Sequence, residues 1–211
     1  MHLVITFGNL CESGISYANN GASSLLATAL KNDYEFNVRD VCNAGTNSEQ
    51  IDALLNRQLC DTWSSTGLDD VLTLLIGTND IIQNNDLANA NSRLENLIRT
   101  IYQNNESKVS KSTPMFVASI PDFNYTASWS QMPGWGEWTS SSKHGFTGTK
   151  QEIEDQINAK VKAYNDGIPD VINALKDDGY NVYFVDVNSV VNKNTDLYDG
   201  CHPNVSGSTN I

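Results

Sequence analysis

The sequence of 211 residues has few basic residues, and this scarcity excludes several classes of partner. It contains 13 Lys and Arg against 25 Asp and Glu, so its formal net charge is -12 at pH 7. Nucleic acids and anionic membrane surfaces are bound mainly through Lys and Arg, and both repel an acidic protein. The sequence also lacks an apolar run of about 18 residues, the length that a membrane-spanning helix needs. We therefore expect neither nucleic acid nor membrane as a partner.

Metal-binding patterns are missing as well. His2, His144 and His202 are far apart in the sequence, and no pair of cysteines has the spacing of zinc ligands. We therefore expect no metal and no cofactor. The cysteines leave two alternatives open, which are one or two disulfides in a secreted protein, or buried free thiols. The four cysteines are Cys11, Cys42, Cys60 and Cys201.

The chain has the length and composition of one domain with a sizeable core, since 39% of its residues are hydrophobic. The first predicted strand begins within the first three residues and leaves no room for a signal peptide. We therefore expect residues 1–211 to form a single mature domain of a secreted, extracellular protein, with Met1 as an added start. We also expect a monomer.

Apolar runs of strand length alternate with segments of helical spacing along the chain. The predicted strands are Leu3–Phe7, Phe36–Val41, Val71–Ile76, Met115–Ile120 and Val182–Val187. The predicted helices are Ala22–Leu30, Ser48–Leu59, Leu87–Tyr102 and Gln151–Leu175. This alternation predicts a parallel sheet with right-handed crossovers. We expect a three-layer α/β/α sandwich with about five parallel strands in the flavodoxin-like order 2-1-3-4-5.

The most informative segment reads Asp-Gly-Cys-His-Pro-Asn at residues 199–204. The carboxylate of Asp199, three residues before His202, can fix the tautomer of the imidazole and stabilise the imidazolium that forms when a histidine acts as general base. Pro203 restricts the backbone directly after the histidine. The alternative is a surface turn with an incidental histidine, and the motifs upstream favour the functional interpretation.

Three further motifs follow the first three predicted strands. They read Phe-Gly-Asn-Leu-Cys-Glu-Ser-Gly at residues 7–14, Asn-Ala-Gly at residues 43–45 and Gly-Thr-Asn-Asp at residues 77–80. The carboxyl ends of parallel strands meet at one edge of the sheet, where open α/β sheets bind their ligands. The order of the motifs along the chain therefore predicts one shared site at that edge.

In this order, the four motifs resemble sequence blocks of the GDSL, or SGNH, hydrolases. Residues 7–14 are similar to the block Gly-Asp-Ser-Leu-Thr-Glu-Ser-Gly, residues 77–80 match Gly-x-Asn-Asp, and Asp199 and His202 match the last block. The resemblance implies an esterase with a Ser-His-Asp triad, in which Asp199 orients the base His202. The family usually adds a final helix after its last block, so we expect this domain to be truncated before that helix or to lack it.

The resemblance also implies two donors to an oxyanion hole, the backbone N–H of Gly45 and the side-chain amide of Asn79. A glycine lets the backbone approach the substrate closely. Loss of one such donor typically costs about 2.7–4 kcal/mol of transition-state stabilisation. The alternatives are a turn glycine at Gly45 and a helix N-cap at Asn79. The neighbours Gly77, Thr78 and Asp80 match the family block and favour the catalytic role for Asn79.

The serine that this family uses as nucleophile is missing from its expected place. The turn reads Gly8-Asn9-Leu10, and a one-residue gap after Asn9 aligns residues 10–14 with Leu-Thr-Glu-Ser-Gly. The serine is either modified, and so left out of the one-letter sequence, or deleted in an inactive form. Cys11 and Ser13 are poor replacements, because they lie ångströms along the turn where about 1 Å already matters. We expect a serine between Asn9 and Leu10.

The segment Pro121–Thr149 is too long for an ordinary connection and is expected to border the pocket as a functional loop. Its aromatic residues include Phe123, Tyr125, Trp129, Trp135 and Trp138. We expect them to be exposed and the three tryptophans to form a substrate rim. Such rings suit sugars, acyl chains or a small core of the loop itself.

Acidic charge, abundant Asn and the resemblance to GDSL enzymes that deacetylate polysaccharides favour a secreted carbohydrate O-acetylesterase. Its substrate would be an acetylated oligo- or polysaccharide. The alternatives are a small-ester lipase or thioesterase, and an inactive carbohydrate-binding protein that kept its pocket.

Overall fold

Five parallel strands form the centre of the protein. The computed structural model describes residues 2–7, 40–43, 51, 71–83, 87–104, 109–125 and 145–211, with the first two segments described as backbone. The strands are β1 (His2–Phe7), β2 (Asp40–Asn43), β3 (Val71–Leu75), β4 (Met115–Ala118) and β5 (Val182–Val185). They are ordered β2-β1-β3-β4-β5, and each neighbouring pair is parallel. The predicted α/β class and strand order are confirmed.

Four helices are described from end to end. They are α1 (Thr78–Ile82), α2 (Ala90–Asn104), α3 (Lys150–Asp177) and α4 (Val205–Asn210). The predicted helices Leu87–Tyr102 and Gln151–Leu175 are present as α2 and α3 with shifted ends. The helices α1 and α4 were not predicted from the sequence, because five or six residues are too few for a helical period to emerge. Ile51 is helical and buried, whereas Ala22–Leu30 and the rest of Ser48–Leu59 lie outside the described residues.

The long helix α3 covers β5 and packs against α2. A capping box starts it: Thr149 Oγ1 accepts the N–H of Glu152, while Oε2 of Glu152 accepts the N–H of Thr149 at 2.7 Å. Apolar side chains at helical spacing are buried along one face of α3. A Cβ atom at Gly167 would lie 1.5 Å from Nδ2 of Asn91. Glycine at this position therefore lets α2 approach α3.

Asparagine side chains hold the segment that follows β4. Asn165 accepts the N–H of Ile120 at 2.9 Å and donates to its carbonyl at 2.8 Å. Asn158 binds the N–H and carbonyl of Phe123 in the same way, at 2.8 and 2.9 Å. Each amide thus satisfies both polar groups of one backbone residue, as a neighbouring strand would. These two asparagines of an Asn-rich chain therefore have structural roles.

The start of the Pro121–Thr149 loop is part of the core. Phe123 and Tyr125 are 2% and 1% exposed. The expectation that the aromatic residues of this loop are exposed is therefore wrong for these two, since the contacts to α3 draw the backbone inward. Residues 126–144, with the three tryptophans, lie outside the described residues.

Candidate active site

A tight hairpin presents the Asp-x-x-His motif. Leu197 and Pro203 form an antiparallel bridge, and the N–H of Tyr198 donates to the carbonyl of His202 at 3.0 Å. A three-residue turn joins the two arms, and Gly200 lies in its centre with a left-handed φ of 83°. Glycine adopts this left-handed conformation without the strain that a side chain would cause. We call the segment from Leu197 to Pro203 the base hairpin.

Asp199 binds both the ring and the backbone of His202. Its Oδ2 lies 2.6 Å from Nδ1 of His202, which is the contact that the motif predicts. Its Oδ1 accepts the N–H groups of His202 and Cys201 at 2.7 and 2.9 Å. A separation of three residues is enough for this contact, because the turn folds the histidine back over the carboxylate. Asp199 therefore reaches the imidazole from within the same turn.

The protonation states follow from this geometry. Burial raises the pKa of Asp199, but the hydrogen bonds from His202 and from the Cys201 N–H outweigh burial and hold it below its ordinary value. The ionised carboxylate can only accept a hydrogen bond, so Nδ1 of His202 carries a proton and Nε2 is left to accept one. The His202 side chain is 31% exposed whereas Asp199 is 1% exposed. This arrangement fits a general base at the protein surface with its orienting acid beneath it.

Neighbouring segments clamp the base hairpin. The N–H of Asn124, in the segment after β4, donates to the carbonyl of Gly200 at 2.8 Å. On the other side, the N–H of Asn204 donates to the carbonyl of Asp196, while Oδ1 of Asn204 caps α4 by accepting the N–H of Gly207 at 3.0 Å. A Cβ at Gly207 would lie 2.2 Å from the Asp196 carbonyl oxygen. The hairpin thus has little freedom relative to β4 and α4.

The Gly-Thr-Asn-Asp turn follows β3 and is built differently. Gly77 has a left-handed φ of 108°, and a Cβ there would lie 2.9 Å from the ring of Tyr164. The Tyr164 hydroxyl is buried and donates to the carbonyl of Ile76 at 3.0 Å; burial raises its pKa. Gly77 occupies the N-cap position of α1, and Asn79 lies inside the helix. The interpretation of Asn79 as a helix N-cap is therefore wrong.

Asp80 connects this turn to two other helices. It is 1% exposed, and its Oδ2 accepts the N–H of Ile51 at 3.0 Å. Its Oδ1 lies 3.6 Å from Nη2 of Arg93 in α2. Ile51 is helical and follows Gly45 by six residues in the sequence. One buried carboxylate therefore ties the turn that carries Asn79 to the chain that follows Gly45.

Asp80 was named from the sequence only as part of a motif, and no role was predicted for Asn124 or Tyr198. The sequence around Asp80 contains one signal of its burial, because a charged residue followed directly by two isoleucines is unusual on an exposed helix. Asn124 and Tyr198 had no such signal, since neither belongs to one of the four motifs that resemble the family blocks.

Cys201 carries a free thiol that packs against the core. Burial and the charge of Asp199 both raise its pKa. A thiol of this kind is not ionised near neutral pH, so Cys201 is an unreactive structural cysteine. Of the two alternatives for the cysteines, disulfide or buried free thiol, Cys201 therefore has the free thiol.

Other predicted site residues lie outside the described part of the chain. The oxyanion role of Asn79, like that of Gly45, stays a prediction. Within the described ranges, no three His, Cys, Asp or Glu side chains are arranged to hold a metal ion. None of the helices described here is long and apolar enough to cross a membrane. The predicted residues outside the description are Gly8, Asn9, Leu10, Gly45, Trp129, Trp135 and Trp138.

Comparison with solved structures supports the fold. A family 3 carbohydrate esterase from Clostridium thermocellum is 21% identical, with a TM-score of 0.61 over 100% of this chain and 91% of that chain. An acetyl xylan esterase is 16% identical, with a TM-score of 0.55 over 99% of this chain and 92% of that chain. At these identities, the likeness establishes the fold and leaves the substrate open.

Comparison by sequence identifies the family. A multidomain esterase of Ruminococcus flavefaciens is 29% identical over 138 residues, which are 65% of this chain. The match spans 14% of that relative's length. Residues 5–209 match the GDSL-like Lipase/Acylhydrolase family. Because this match spans nearly the whole chain and includes all four motifs, the chain belongs to the GDSL-like lipase/acylhydrolase family.

Proposed function

We propose that the protein is a secreted serine esterase that removes O-acetyl groups from carbohydrate. The observation that carries this proposal is the 2.6 Å contact between Nδ1 of His202 and the buried, ionised Asp199. It leaves Nε2 of His202 able to take a proton from a hydroxyl nucleophile. The nucleophile is the serine that we expect between Asn9 and Leu10.

The first half of the reaction forms an acetyl-enzyme. The serine oxygen attacks the acetyl carbonyl carbon while Nε2 of His202 takes the hydroxyl proton. The carbonyl oxygen becomes an oxyanion, for which the Asn79 amide and the Gly45 N–H are the proposed donors. The bond to the sugar oxygen then breaks. His202 returns its proton to that oxygen, and the sugar leaves as an alcohol.

The second half regenerates the enzyme. A water molecule attacks the acetyl carbon while His202 takes one of its protons. The bond to the serine oxygen breaks, the proton passes to that oxygen, and acetate is released. Asp199 stays ionised throughout and stabilises the imidazolium in both halves.

Carbohydrate is favoured as the alcohol part of the ester by the relatives. The family 3 carbohydrate esterase and the acetyl xylan esterase share the fold over nearly their whole length. The net charge of -12 disfavours polyanionic substrates. A neutral, acetylated oligo- or polysaccharide fits both observations, with the predicted tryptophan rim contacting its sugar rings.

A second candidate is an inactive carbohydrate-binding protein. One observation favours it, namely that the sequence passes directly from Asn9 to Leu10 without a serine. In that case the base hairpin would remain as an intact but unused part of an ancestral esterase site.

Acetate release from acetylated xylan tests the proposal. We would compare it with hydrolysis of p-nitrophenyl acetate, butyrate and octanoate, using His202→Ala as the inactive control. We expect xylan deacetylation and a preference for the acetyl ester. A preference for octanoate would support a lipase or thioesterase instead, and binding of xylan without turnover would support the inactive protein.

An insertion variant separates a missing nucleophile from a defective site. A serine inserted between Asn9 and Leu10 should give an active esterase if the sequence as written lacks one. If this variant folds, binds the substrate and still releases no acetate, the assignment of His202 as the base is wrong.

A further inference from the structure

An aromatic ring lies beside the imidazole of His202 within the same hairpin. The rings of Tyr198 and His202 have centroids 5.8 Å apart and planes inclined by 24°. This is a stacked arrangement at a distance typical of interacting rings. The pairing of aspartate with histidine does not account for it.

The hairpin explains why the two rings meet. Tyr198 and His202 lie opposite each other across the three-residue turn, linked by the hydrogen bond from the Tyr198 N–H to the His202 carbonyl. Side chains opposite each other on paired strands project to the same side and make contact. The stack is therefore a consequence of the local fold. It depends on the side chain at residue 198 being a flat ring.

The contacts of Asp199 and Tyr198 with the imidazole act in different directions. Asp199 holds Nδ1 at 2.6 Å, and a hydrogen bond at that atom does not by itself fix the angle of the ring about the contact. Tyr198 lies against the ring face and opposes that pivot. Together they restrict the position of Nε2, which must meet the nucleophile to within a fraction of an ångström for efficient proton transfer.

The ring also suits the charged form of the base. The face of an aromatic ring carries partial negative charge and attracts a cation placed over it. When His202 takes a proton, the imidazolium is stabilised by the Asp199 carboxylate at its edge and by the Tyr198 ring at its face.

We propose that Tyr198 is a positioning residue for His202, holding the imidazole in the plane in which Nδ1 meets Asp199 and Nε2 faces the nucleophile. This inference deepens the proposed function and rests on His202 being its base.

Histidine NMR tests the positioning without requiring activity. The proton between Nδ1 of His202 and Asp199 should give a separate downfield signal, assigned by its loss in His202→Gln. In Tyr198→Phe, which keeps the ring, we expect this signal to be unchanged. In Tyr198→Leu and in Tyr198→Val, we expect it to broaden or disappear at neutral pH. A sharp, unshifted signal in either aliphatic variant with a native amide spectrum would overturn the proposal, as would loss of the signal in Tyr198→Phe.

Kinetics supplies the second readout. For an active esterase, we expect Tyr198→Leu to lower kcat on p-nitrophenyl acetate about tenfold with little change in KM, and Tyr198→Phe to restore it. Tyr183→Leu, at an exposed tyrosine on β5, is the matched control and should leave both constants unchanged. If no variant hydrolyses esters but the NMR signal follows the ring at residue 198, the proposed function fails while the positioning of His202 stands.

Discussion

The base hairpin follows β5 and the Gly-Thr-Asn-Asp turn follows β3, and they are held in place by different means. In the hairpin, His202 is contacted by residues three and four positions earlier, Asp199 and Tyr198. In the turn, the partners are distant in sequence. Ile51 is 29 residues from Asp80, and the hydroxyl of Tyr164 reaches back 88 residues to Ile76.

This difference has a physical consequence. The hairpin contains its own base and orienting acid, so a change within it should affect chemistry more than stability. The turn depends on buried long-range contacts, so a change in its partners should affect stability and chemistry together. Mutations in the two regions can therefore separate local from tertiary control of the site.

The largest expected effect is on chemistry, in the hairpin. Asp199→Asn replaces an acceptor by an amide that can donate to Nδ1, which favours the wrong imidazole tautomer. By analogy with the aspartate-to-asparagine change in a serine protease triad, we expect kcat to fall about 10⁴-fold. Steady-state kinetics on p-nitrophenyl acetate measures this. A loss below tenfold in a folded variant would mean that Asp199 does not orient the base.

The largest expected effect on stability is in the turn. Asp80→Ala removes the acceptor for the Ile51 N–H and leaves Arg93 without this partner. We expect a loss of about 3 kcal/mol in the free energy of unfolding, the low end for a broken buried pair, because Arg93 is 25% exposed. Urea denaturation measures it.

The matched control for Asp80 is Asp166, whose partner Lys162 lies on the surface of α3. Asp166→Ala should cost at most about 0.5 kcal/mol. Asp80→Asn keeps an oxygen for the Ile51 N–H and should fall between the two. Equal stabilities of the Asp80→Ala and Asp166→Ala variants would show that Asp80 does not link these helices.

A smaller loss of stability is expected from Tyr164→Phe. The change leaves the buried carbonyl of Ile76 without its donor, which costs about 1–3 kcal/mol. Tyr183→Phe, at an exposed tyrosine on β5, should cost almost nothing. Thermal unfolding of both variants compares them directly, and an unchanged Tm for Tyr164→Phe would contradict the role assigned to this hydroxyl.

The smallest expected effect is a decrease in the free energy of unfolding at acid pH, caused by Asp199 in the base hairpin. The folded pKa of Asp199 is below its ordinary value of about 3.9. The ionised Asp199 therefore contributes its full stabilisation of the folded state above about pH 3.9. This stabilisation is lost as the pH falls through the lower pKa of the folded state, because the unfolded chain binds the proton more readily. Unfolding measured from pH 6 to pH 2 should show a shallower decline in Asp199→Asn. A parallel decline in both proteins would contradict this.

The same contrast explains what the sequence could predict. The spacing of Asp199 and His202 was enough to predict their contact, because a tight turn needs no other part of the fold. The partners of Asp80 could not be predicted, since Ile51 and Arg93 meet it only after the sheet and helices have packed. Tyr198 belongs to the local class but carries no motif, so its stacking was found only in the structure.

The fold shows a similar division. Strand order followed from the alternation of apolar runs and helices, whereas strand ends did not. Ile76, Ile120 and Val187 are buried although they lie beyond the ends of their strands. An apolar run in the sequence indicates which residues are buried, and the buried residues extend past the strand ends into the segments that follow.

The base, its orienting acid and the proposed oxyanion donors require a serine between Asn9 and Leu10, and its presence can be measured directly. Tandem mass spectrometry of the tryptic peptide that contains Asn9 and Leu10 and ends at Lys31, from the protein isolated from its source, would reveal an extra residue. We predict fragment masses that place a serine, modified or not, between Asn9 and Leu10. Fragment masses that show Asn9 bonded directly to Leu10 would contradict an active serine esterase and favour the inactive carbohydrate-binding protein.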